Sequence, residues 1–164
     1  MMTSAYVVTA ALTALSLVVF LGGGHPYGAL GVALMVAFDL LVLLPDSALG
    51  GTKARAPHLT MAAAATLVIA IALLPPATPW FTVLFFVLSP TAMMSFPRQT
   101  GYAWVGVFSA LTVIIFWIAG RGELGMLLMA PRYIAGYFFF AAFATQTARA
   151  HAAQAESQRL LGEL

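Results

Sequence analysis

Asp39 and Arg132 carry the most chemistry to explain, because each interrupts a long apolar run. A charged side chain at mid-bilayer costs roughly 2.5–3.5 kcal/mol on the insertion scale, so each needs a partner or a task. Counted along a helix, Asp39 lies about 16 Å from the outer end of its run and Arg132 about 12 Å from the outer end of its own. Near-equal depth predicts an intramembrane Asp39–Arg132 pair that ties the second span to the sixth. The alternative has Arg132 snorkelling to the outer interface while Asp39 reaches the inner headgroups or takes up a proton. The same residues would also serve a small transporter or channel subunit, Asp39 carrying a proton or cation and Arg132 offering an anion or counter-ion site.

Other reactive chemistry is thinly represented. His25, His58 and His151 fall in separate segments, and a metal or haem site needs several convergent donors. The sequence therefore predicts no metal and no cofactor. It has no Gly-rich phosphate loop after a strand, no H-E-x-x-H, and its Ser, His and Asp residues are scattered, so no catalytic residue is assigned and no enzyme is expected within these 164 residues. With no cysteine, disulfides and thiolate sites are excluded. Lys53 and the six arginines are scattered along the chain, most of them in connecting segments, rather than gathered in a stripe, which argues against nucleic acid as a partner.

The elements that must position Asp39 and Arg132 follow from composition. Only 7% of residues are charged and 62% are hydrophobic, with a mean hydropathy of +0.98. A water-soluble fold of this length would have too few polar groups to cover its surface, whereas a bilayer removes the need. Apolar runs at 4–21, 27–44, 59–74, 80–96, 102–119 and 124–147 predict an all-α, polytopic membrane bundle of about six transmembrane helices. The first run resembles a signal-peptide core but lacks a basic start and a small-x-small site, so it is read as a retained span. Proline and glycine punctuate the runs, as at Gly22-Gly23-Gly24-His25-Pro26 and Pro75-Pro76-Ala77-Thr78-Pro79. Pro90 and Pro131 fall inside the fourth and sixth runs and are expected to act as mid-helix hinges or as ordinary tolerated kinks. Gly136, Ala141, Ala142 and Ala144, like the Ala62 to Ala65 stretch, permit close helix approach.

Orientation follows from the loops. Lys53, Arg55, Arg98, Arg149 and Arg159 fall on one side and Arg121 on the other, which places both termini in the cytoplasm of a multi-pass protein. Trp80, Tyr102, Trp104 and Trp117 near run ends fit interfacial anchoring.

Beyond Gln146 the chain reads Gln-Thr-Ala-Arg-Ala-His-Ala-Ala-Gln-Ala-Glu-Ser-Gln-Arg-Leu-Leu-Gly-Glu-Leu, good helix formers apart from Gly162. The sixth span is expected to run into water as one helix, giving a sensor bundle over 1–147 and a signalling helix, the start of a coiled coil, over 148–164. A chain stopping at Leu164 without a polar close is expected to be part of something longer. This tail, after the aromatic stretch from Arg132 to Phe143, resembles the exit helix of multi-span bacterial sensor histidine kinases of the DesK-like class, which partner NarL-type response regulators. The resemblance implies a sensor and transducer portion in the bacterial cytoplasmic membrane, homodimeric through its C-terminal helix, with the lipid bilayer as its other partner and the kinase part absent. Its outer loops leave no room for a folded extracellular domain, so the stimulus would be membrane state, a lipophilic molecule or a partner protein. A transporter subunit and a plain structural subunit are the competing readings.

Overall fold

A computed structural model of the chain describes residues 14, 18, 27–44, 51, 55–74 and 79–162. The run at 4–21, with its predicted first span, and His25 lie outside the described residues, apart from Ala14 and Val18, which are helical and exposed. Within the described residues the structure is all-helical. Helices α1 (Gly28–Leu43) and α2 (Pro57–Leu73) precede a 3-10 helix (Pro79–Leu84) that passes directly into α3 (Phe85–Ser95). Then come α4 (Arg98–Ala119), the single turn α5 (Leu124–Leu127) and α6 (Ala130–Gly162).

Proline sets most of these boundaries. Leu44, Leu74 and Phe96 each close a helix in extended conformation (ψ 137°, 127° and 157°), and each precedes a proline whose ring excludes the helical conformation from its neighbour. Pro57 opens α2, where a missing N–H goes unmissed. The turn after α4 uses another device: Arg121 and Gly122 take positive φ, 50° and 82°, and the Gly122 N–H donates to the Trp117 carbonyl at 3.0 Å, closing the helix end.

Helix α3 is the hub, packed most extensively on α6 and α4 and also on α2, while α1 leans on α2. The inward residues of α2, Met61, Ala64, Ala65, Val68, Ile71 and Ala72, recur at the three- and four-residue spacing of one helix face. In α4 the same spacing selects Gly101, Val105, Phe108, Thr112 and Ile115. The outward faces are equally apolar: Ile114 and Trp117 are each 52% exposed and Phe139 is 64% exposed. Helices apolar all round require apolar surroundings.

Among the described residues two helical stretches are long and apolar enough to cross a membrane, Arg98–Ala119 and Leu124–Leu161, while Gly28–Leu43, Pro57–Leu73 and Pro79–Ser95 are shorter apolar helices. In the most apolar windows of the two long stretches only 28% and 17% of residues are buried, unlike a core helix of a water-soluble domain. Hydroxyls in these helices are served locally. Thr66, Ser89, Thr91, Ser109, Thr145 and Thr147 each donate to the carbonyl four residues back, at 2.8–2.9 Å. That arrangement spares a hydroxyl the need for water.

Candidate functional site

The structure brings aromatic residues together between α3, α4 and α6, and the side chain that sets their spacing is one that is missing. A Cβ built at Gly136 would overlap the Phe86 ring edge, 2.7 Å from Cζ, so glycine there lets the ring lie against α6. Around it Phe86 stacks on Tyr133 at 6.1 Å and 9°, meets Tyr137 edge-on at 5.1 Å, and lies 5.5 Å from Phe140. Phe116 of α4 completes the wall, 5.2 Å from Tyr133. Offset and edge contacts of this kind are favourable beyond their burial.

Beneath this wall lies a closed polar knot. The Tyr137 hydroxyl donates to the Thr82 carbonyl at 3.0 Å and shares a 2.8 Å hydrogen bond with the Thr112 hydroxyl, which also reaches the Phe108 carbonyl at 2.8 Å. Tyr137, Thr82 and Thr112 are fully buried. A 3-10 carbonyl, a tyrosine and a threonine thus join three elements where each polar group has a partner.

Above the wall the packing opens into a groove of about 530 Å³. Pro79, Trp80, Val83 and Phe86 form one side, Phe116 and Tyr133 the other, and Met126 and Met129 the rim. Arg132 is the charged residue lining it, is exposed, and has no carboxylate paired with it among the described residues. The arrangement offers a cation able to form two parallel hydrogen bonds beside an apolar, open-sided slot.

The expected partner of Arg132 is elsewhere. Arg132 stands in the first turn of α6, about 3 Å along the helix from Ala130, at the bundle end that holds Pro79, Trp80 and Met126. Asp39 is about 16 Å from the start of α1, two residues before Leu41, which lines a small crevice with Pro57 and Ser95 at the opposite end. The sixth run is interrupted after α5, so depth measured from Leu124 overstated how far Arg132 enters the bundle. The structure does not bring Asp39 and Arg132 together.

The proposed hinges also differ from expectation. Pro131 is the second residue of α6 rather than a mid-helix break, a position where its ring suits the first turn. Pro90 does sit inside α3, but the Ser89 and Thr91 hydroxyls bond the Phe85 and Val87 carbonyls on either side of it. The change of helix type falls earlier, between Leu84 and Phe85.

At the crevice end, Trp104 Nε1 donates to His58 Nδ1 at 3.2 Å, the Phe96 ring lies 4.5 Å from the imidazole, and the Arg98 guanidinium lies 5.9 Å from the Tyr102 ring centroid. His151 is exposed on α6. Among the described residues no three His, Asp or Glu side chains converge on a metal position. Sequence reasoning missed the knot and the groove. Its available signals were the polar residues Thr82, Thr112 and Tyr137 inside apolar runs, and Trp80 and Arg132 at run ends. Comparison with known proteins finds no matching family model, no matching curated protein and no matching solved structure.

Proposed function

We propose that the chain is a membrane sensor and transducer: a bundle of about six spans in the bacterial cytoplasmic membrane whose last helix carries the state of the bundle into the cytoplasm. The observation that carries this reading is the continuity of α6. It runs 33 residues without interruption, about 50 Å, from the groove at Arg132, past the knot at Tyr137, to a segment exposed from 148 to 161. A rotation or shift imposed on its packed half must reach its free half, because a helix transmits such motion as a rigid rod.

The surroundings support the same reading. Outward apolar faces, low burial of the two long apolar stretches and self-served hydroxyls all suit a lipid environment. The free half is rich in alanine, with Leu160 and Leu161 exposed near its end, a surface suited to pairing with a second copy. In the DesK-like kinases that the tail resembles, such a helix leads to the phospho-acceptor helix, and this chain would supply the input to that step. Two packings of the bundle that differ by a few kcal/mol would form the switch.

Disulfide cross-linking in native membranes tests the proposal, scanning single cysteines from Ala152 to Leu164 on the cysteine-free background. Cross-linked dimers recurring with helical period are expected. A flat or aperiodic profile overturns the transducer reading and favours a transporter or structural subunit.

A further inference from the structure

We propose that the groove at Arg132 binds one long-chain carboxylic acid, its carboxylate on the guanidinium and its hydrocarbon tail between Trp80, Phe86, Phe116 and Tyr133. The proposal deepens the sensor reading by naming the class of ligand the bundle would sense.

The inference starts from charge. Arg132 is exposed, and among the described residues it has no carboxylate paired with it and borders an otherwise uncharged lining. A guanidinium beside apolar walls recognises a planar anion joined to an apolar body, and carboxylate matches its fork with two parallel hydrogen bonds. One cation suits one monoanionic head.

Size narrows the class. About 530 Å³ is the scale of a single-ligand site, which suits one acyl tail. The open side lets a chain enter from lipid. Met126 and Met129 at the rim can adapt to the chain that enters.

Position gives the site a consequence. Arg132 and Tyr133 belong to the first turn of α6, and Phe86 belongs to α3, so a tail lying against them touches two helices that are packed on each other. Filling the groove favours whichever packing leaves room for the tail, and only that differential affinity can move α6.

Tryptophan quenching reads the site directly. The full chain, carrying Trp104→Phe and Trp117→Phe so that Trp80 alone reports, is placed in phosphatidylcholine nanodiscs and titrated with brominated palmitic acid. Saturable quenching is expected, with no competition from the alcohol of equal length. Arg132→Gln is expected to weaken binding by about tenfold or more. Arg132→Lys keeps the charge without the planar fork and is expected to fall between them. Met129→Phe narrows the groove while leaving Arg132 in place, and is also expected to weaken binding.

Equal quenching in the parent and Arg132→Gln overturns the proposal, as does equal quenching of a single-Trp104 reporter at the other end, because both mean simple partition into lipid. Displacement of the acid by phosphatidylglycerol at bilayer abundance overturns it too, assigning the groove to the anionic phospholipid of the membrane. If quenching fails while the tail cross-links stay periodic, the groove is wrong and the transducer stands. Specific binding with an aperiodic tail leaves a lipid-binding bundle and removes the transducer.

Discussion

Tyr133 and Tyr137 stand one turn apart on the same face of α6 and have opposite surroundings. Tyr137 is fully buried, and its hydroxyl is held by the Thr82 carbonyl and the Thr112 hydroxyl. Tyr133 is partly buried, flanked by Phe86 and Phe116, and lines a groove open to its surroundings. One turn of helix thus separates a closed polar knot that fixes α6 against the 3-10 helix and α4 from an open apolar site that leaves room for a guest. A polar group with every partner in place holds a helix where it is, whereas unfilled apolar space lets a ligand change where the helix rests.

The largest effect should come from emptying the closed side. Tyr137→Ala removes a large buried ring together with both of its hydrogen bonds, at a cost of about 3–5 kcal/mol. Unfolding followed by circular dichroism in detergent should show it as a marked loss of thermal stability. Gly136→Ala comes next and strikes the contact between the two sides. The added methyl meets the Phe86 ring, which is stacked on Tyr133 and cannot simply withdraw, so a loss of about 1–3 kcal/mol is expected. Because Phe86 also walls the groove, Gly136→Ala should perturb Trp80 fluorescence, and an unchanged spectrum would separate the groove from the helix contact.

A double-mutant cycle sharpens the knot itself. Three contacts are served there by two hydroxyl protons, one from Tyr137 and one from Thr112, so the hydrogen bonds are interdependent. Tyr137→Phe and Thr112→Val, made singly and together, should show a coupling of about 0.6–1.7 kcal/mol, between the average and the maximum for hydrogen bonds between membrane helices. Strict additivity would mean that the two hydroxyls share no bond that matters.

The same contrast explains what was legible in the sequence. Helix ends were, because Pro45, Pro75 and Pro97 dictate the conformation of the residue before them whatever the tertiary setting. The depth of Arg132 relative to Asp39 was not, and the expectation that they pair depended on it. That depth was counted along an unbroken sixth helix, and the break between α5 and α6, where no proline precedes Ala130, moved Arg132 to the helix start. Pro131 misled for a related reason: proline marks both kinks and helix starts, and only the position of the boundary distinguishes them. The knot was unreadable because Thr82, Thr112 and Tyr137 are 25 to 55 residues apart in the chain and meet only through packing. Gly136 was legible as a residue permitting close approach, though Phe86 was not foreseeable as what approaches it.

The smallest expected effect gives the closest control. Tyr133→Phe deletes the same oxygen as Tyr137→Phe, four residues away on the same helix, from a ring with the same aromatic neighbour in Phe86. Ring stacking survives both substitutions, so any difference between them reports the environment of one hydroxyl. A partly buried hydroxyl at an open groove leaves no dry, unpaired acceptor behind, and the stability change for Tyr133→Phe should stay within about 0.5 kcal/mol. Tyr137→Phe removes a hydrogen bond to the Thr82 carbonyl in the fully buried core and should cost measurably more. Equal losses would mean that the knot is no drier than the groove, and that α6 is held by its aromatic contacts alone.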